Sequence, residues 1–170
     1  MRKIIFLLFL FPAVAFGQKQ NTFLKLNDAS GKQINGDATL RGFERQLGIF
    51  TLSSAGKNNT QLLFTMPVTG ASADLKRVMA SGELLSGLLT VTQNDPSMGK
   101  PMIVYTIKME GIHVTACSES MGCNAVTTTA AVLTATRIGW TYYQTAANGV
   151  QTVSRKFGYD ADSGKEWTNF

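Results

Sequence analysis

From about residue 20 onward the chain mostly alternates apolar and polar positions, with a break of Gly, Asn, Asp, Ser or Pro roughly every ten residues. Such spacing predicts short antiparallel strands of an all-β sandwich or barrel. The stretch TFLKLN (22–27) reads as a first strand, followed by turn-rich DASGKQINGD. Residues 38–52 hold one or two strands, and SSAGKNN (53–59) reads as a polar loop. In QLLFTMPV (61–68), Leu62, Phe64, Met66 and Val68 share one face, as in a half-buried strand. Residues 85–93 return to strand, and NDPSMGKP carries the turn signals of a loop. Further on, Ile103, Tyr105, Ile107 and Met109 share a face, but Ile112 and Val114 continue one position out of phase. Gly111 sits at that slip, which predicts a β-bulge. A long β-prone run covers 126–144. Ala147-Asn148-Gly149-Val150 then reads as a type I′ hairpin turn, with 150–159 as the returning strand.

One stretch changes period. In SADLKRVMASG, Leu75, Val78 and Met79 recur at helical spacing. Ser72 is a suitable N-cap, Asp74 suits the first turn, and Gly82 suits a left-handed end. The fold class is therefore all-β: a barrel of two antiparallel sheets with one short α-helix.

The N-terminus has a different pattern. Arg2 and Lys3 precede a run of uncharged, almost wholly apolar residues ending at Gly17. That run is shorter than the roughly 20 residues a bilayer span needs, and it has the layout of a secretory signal peptide. Ala15-Phe16-Gly17 supplies the small-x-small cleavage pattern. Residues 1–17 are thus expected to be removed between Gly17 and Gln18, leaving 18–170 as one domain. Without Arg2 and Lys3, 14 basic residues face 11 acids. The basic residues are scattered, so neither a nucleic-acid arm nor, after cleavage, a membrane partner is expected.

Few residues invite chemistry. His113 is the only histidine, lies between Ile112 and Val114, and has no partner motif, so it is expected to be structural or exposed. Asp160, Asp162 and Glu166 superficially suggest a calcium loop. However, an EF-hand needs glycine at the sixth position, and Gly164 falls at the fifth. A polar turn fits better. Trp140 and Tyr142 share a face and are expected in the core, with Tyr143 packing on a neighbour. No phosphate loop, dinucleotide fingerprint or metalloprotease motif occurs, so no cofactor is expected.

The two cysteines, Cys117 and Cys123, bound the segment CSESMGC. Structural zinc usually needs four Cys or His ligands, and this chain offers three. A redox pair is usually Cys-x-x-Cys at a helix start, not a five-residue spacing among strands. Export to an oxidising compartment favours a structural disulfide closing a hairpin-tip loop, contributing roughly 2 kcal/mol.

Taken in order, TFLKL, QLLFTMPVTGASADLKRVMASGELLSGLLTV, KPMIVYTIKMEGIHVT, TRIGWTYYQ and NGVQTVSRKFGYD resemble the haemolysin-coregulated protein (Hcp) family. Members of that family are tube subunits of bacterial type VI secretion systems. The resemblance implies a non-enzymatic β-barrel with one helix on its side. It also implies a homo-oligomer, a hexameric ring that stacks into a tube, with secretion-machine components or effector proteins as partners. Family tube subunits assemble in the cytoplasm without a signal peptide. The leader therefore points to an exported relative, periplasmic or secreted. A monomeric exported binding module is the alternative expectation, and a deep apolar pocket lined by Trp140 or Tyr143 would favour it.

Overall fold

A computed structural model describes residues 20–56, 60–95, 100–121, 127–146 and 148–170. The expected leader, with Gly17 and Gln18, lies outside these residues. The strands run β1 (Gln20–Asn27), β2 (Gln33–Ile34), β3 (Leu47–Ile49), β4 (Thr51–Ala55), β5 (Gln61–Pro67), β6 (Leu85–Asp95), β7 (Lys100–Met121), β8 (Thr127–Thr145), β9 (Gln151–Asp160) and β10 (Lys165–Glu166). The helix α1 (Gly70–Ser81) lies between β5 and β6. All-β architecture with one short helix is thus what the chain adopts.

Every strand pairing is antiparallel, and β7 and β8 join the two halves of the barrel. The inner edge of β8 pairs with β7 along its length. Its other edge pairs first with β5, from Thr128 to Thr134, and then with β9, from Arg137 onward. From β7 the order continues through β6 to β1, and β3 pairs with β1. The Phe50 N–H, between β3 and β4, donates to the Thr65 carbonyl on β5 at 2.8 Å, which closes the circuit.

Alternation fills the interior. On β5, Leu62, Phe64 and Met66 are buried while their neighbours are half-buried. Leu24 and Leu26 of β1, Leu89 of β6, Met109 and Ile112 of β7, and Leu133 and Ile138 of β8 meet them in one cluster. Burying each such side chain contributes about 1.5–3 kcal/mol. Val68 departs from expectation: β5 ends at Pro67, and Val68 is exposed beyond it.

The predicted bulge is present. Gly111 takes φ +60°, and the pairing of β6 with β7 jumps there, from Leu85–Ile112 to Gly87–Met109. Three further slips carry no glycine. One lies between the Tyr105–Val91 and Ile103–Thr92 pairs, leaving Val104 out of step, another lies between Val114 and Ala116, and the third leaves Ser154 of β9 out of step between the Tyr142–Arg155 and Tyr143–Val153 pairs. The first slip explains why Met102 is buried while Ile103, expected on the same face as Ile107 and Met109, is only half-buried.

The helix starts before its predicted cap. Thr69 is the N-cap, and its N–H donates to Ser72 Oγ at 3.1 Å. Ser72 lies inside the first turn and is buried, with its Oγ 2.7 Å from Thr129 Oγ1 on β8. Asp74 lies beyond the first turn. Gly82 ends the helix at φ +68° as expected. Leu75 and Val78 face the core, whereas Met79 is exposed.

Three expected loops contain strand. Ser53, Ser54 and Ala55 pair with Leu63, Leu62 and Gln61. Asn94 and Asp95 pair with Pro101 and Lys100. Cys117 to Met121 belongs to β7 and pairs with β8, from Cys117–Ala131 to Met121–Thr127. The hairpin before β9 is closed by Gly149 N–H to Ala146 O at 2.8 Å. Its closing bond thus starts one residue earlier than the Ala147–Val150 turn expected from sequence, with Gly149 at φ +79°.

Candidate assembly edge

A barrel strand whose outer main chain lacks a partner offers unpaired N–H and C=O groups to another chain. Among the described residues, β9 pairs with β8 on one side and with β10 only at Tyr159 and Asp160 on the other. From Gln151 to Phe157 no described strand covers its outer edge. Six successive β9 residues, from Thr152 to Phe157, are exposed. Val153 is 51% and Phe157 50% exposed, so a β-branched and an aromatic side chain flank the open main chain. Such side chains favour strand pairing. Arg155 adds positive charge that discourages indiscriminate pairing. A second such edge is β4, which pairs with β5 alone among the described strands and carries no charged residue.

Behind β9 the barrel interior reaches the surface. The Trp140 ring is buried and stacks on Phe157 with centroids 5.7 Å apart. Next to it, Tyr142 lies 5.6 Å from Tyr105. Tyr142 is exposed, so only Trp140 of the expected core pair is buried. A cleft of about 250 Å³ opens there, lined by Leu52, Ser53, Ser54, Leu62, Tyr105, Ile107, Trp140 and Tyr142. Tyr143 does not line it. Burial and the neighbouring Tyr142 raise the Tyr105 hydroxyl above its ordinary range, which keeps it a neutral donor.

At the lower end of β9 the edge is closed by a strap absent from the sequence expectations. β10 pairs with Tyr159 and Asp160, and the Trp167 N–H donates to the Gly158 carbonyl at 3.0 Å. Gly139 and Gly158 are opposite each other on β8 and β9. The Phe170 ring occupies the space their missing side chains leave: a Cβ at either glycine would lie 2.5 Å from it. Trp167 is buried, with its ring 5.0 Å from that of Phe170. Lys108 and Lys156 sit over the Trp167 and Phe170 rings at 5.5 and 4.8 Å. Two lone glycines inside strand patterns were the only sequence signal for this seat.

Asp160 organises the turn between β9 and β10. Its Oδ1 accepts from the N–H groups of Asp162 and Ser163, and its Oδ2 from Arg137 Nε at 3.0 Å. The Ser163 hydrogen bond foremost, then Arg137, holds its carboxyl below the usual range. Arg137 also reaches Glu110 at 3.5 Å.

His113 is exposed on β7 opposite Thr134. Cys117 is half-buried against the core, and burial raises its thiol pKa. Cys123 lies outside the described residues. A bridge needs the two Cα atoms within about 7 Å. The five extended residues from Cys117 to Met121 span about 13 Å. A Cys117–Cys123 bridge therefore requires the chain to turn back along β7 directly after Met121. Among the described residues no helix is long and apolar enough to cross a membrane.

No protein-family model matches the sequence, and no curated protein matches it. Solved structures do. Hcp1 from Salmonella typhimurium superposes with a TM-score of 0.68 at 18% identity, over 86% of this chain and 99% of that one. A type six secretion system protein gives a TM-score of 0.70 at 15% identity, over 88% and 100% of the two chains. Secreted protein Hcp3 from Pseudomonas aeruginosa gives 0.65 at 15% identity, over 84% and 98%. At such identities the shared property is the backbone, and it extends over nearly the whole of each of those proteins: the chain has the Hcp fold.

Proposed function

We propose that this chain is a non-enzymatic structural subunit that joins copies of itself through the outer edge of β9. The observation that carries this reading is the open strand from Gln151 to Phe157, flanked by exposed Val153 and Phe157, on a barrel with the Hcp fold. A strand edge meeting a different edge on the next copy is a head-to-tail contact. Such contacts close into rings when the rotation allows. The β4 edge is the candidate counterpart. The likeness to type VI secretion proteins supports extending this reading to a hexameric ring that stacks into a tube, with secretion-machine components or effector proteins as partners. Export with cleavage between Gly17 and Gln18, and a Cys117–Cys123 disulfide, complete the proposal. Replacing Phe157 with Asp tests the edge. The variant is expected to stay folded by circular dichroism and to sediment as a monomer where the wild type is oligomeric. An unchanged oligomer would overturn the β9 contact.

The cleft at Trp140 favours a second reading, a monomeric binding module. It would show as a strictly monomeric chain whose tryptophan fluorescence responds to a bound small molecule.

A further inference from the structure

We propose that the strap formed by residues 165–170 is a register stop for the pairing of a second copy of this chain onto β9. This inference rests on the β9 contact proposed above. Strand addition to an open edge is by itself poorly specified, because an incoming strand can slide by two residues and keep its side-chain faces. In a ring, each two-residue slide shifts the neighbour by about 7 Å along the strand, and the contact then no longer closes. Something must therefore mark where pairing ends.

The strap is placed to do this. The Gly158 carbonyl faces outward, and by alternation so do the main-chain groups of Lys156, two residues earlier; beyond it the slip at Ser154 interrupts the alternation. Gly158 is already taken by the Trp167 N–H, and the Asp160 carbonyl by the Gly164 N–H beside β10. An incoming strand consequently meets a filled edge after Phe157. The block is anchored rather than loosely laid. Trp167 is buried, and Phe170 sits in the gap above Gly139 and Gly158. Lys156 Nζ bonds the main-chain oxygen of Phe170 at 2.5 Å. Its ammonium is thus drawn toward the strap, away from the open part of the edge. The rest of the strap, Lys165, Glu166, Thr168 and Asn169, is exposed, so the two aromatics hold it.

Two variants test the stop without touching the open edge. Trp167→Ala removes the buried anchor. Gly139→Ala places a methyl group against the Phe170 ring while its backbone φ suits alanine. Both are compared with wild type by analytical ultracentrifugation, negative-stain microscopy and hydrogen exchange. The expected result is one closed wild-type species, and for both variants a spread of larger, open assemblies with loss of amide protection from Gly158 to Asp160. Variants that form the same closed particle as wild type, despite that loss of protection, overturn the stop and leave the β9 contact standing. If wild type and variants are all monomeric, the β9 contact fails and the stop falls with it.

Discussion

Single residues set the geometry at points where the main chain changes direction. Gly111 has φ +60°, and a Cβ there would meet Thr136 Oγ1 at 2.7 Å. Gly111→Val is therefore expected to destabilise the barrel by about 1–3 kcal/mol, read as a lower urea midpoint. Leu75→Ala empties a fully buried site under the helix and is expected to cost about 2–5 kcal/mol, whereas exposed Met79→Ala should cost under about 0.5. Asp160 gives a pH signature. Its folded pKa lies below the unfolded value, so its contribution is fully present above about pH 4 and is lost as pH falls through the folded value. Stability of Asp160→Asn should therefore fall less steeply than wild type below about pH 4, measured by urea unfolding across that range. Gly82 and Gly111 were readable because each glycine stands where a pattern stops or slips. The slips at Val104 and after Val114 were not readable, since side-chain chemistry does not mark them and only the neighbouring ladders reveal them.

Elements were legible where one face is buried and the other solvated. β5 shows its alternation directly, and α1 its helical spacing. The end of β7 was not legible. CSESM has little apolar content, yet pairing with β8 makes it strand, and Lys76 of α1 reaches Glu119 there at 2.6 Å. A neighbouring strand satisfies the backbone whatever the side chains are. The expected disulfide follows a different logic and would place a tight turn next to the last rung of the ladder. If Cys117 and Cys123 bridge, hydrogen exchange near Met121 should be faster in the oxidised chain than after reduction. Equal or slower exchange would show that the bridge and the ladder are compatible. β10 and the strap were invisible for a related reason: Gly139 and Gly158 form one seat only after β8 and β9 pair. The β9 edge itself was half legible. Its strand was expected, but its exposure depends on which strands stand beside it.

At the scale of the whole molecule, a closed barrel leaves few edges: besides β4, and β7 from His113 to Met121, where no described strand lies on its β6 side, there is β9. Its apolar residues and its anchored strap both suit a subunit that meets copies of itself. The resemblance in ordered motifs and the Hcp backbone agree on the fold, although neither the core nor the ladders name a compartment. N-terminal sequencing of protein recovered outside the cytoplasm is expected to begin at Gln18, and protein found in the cytoplasm that starts at Met1 would contradict export. Assembly is tested most directly by light scattering on the chain from Gln18 to Phe170 over a wide concentration range, with microscopy of the same sample. A single hexamer-sized species forming rings is the expected result. A strict monomer at the highest concentration would contradict it.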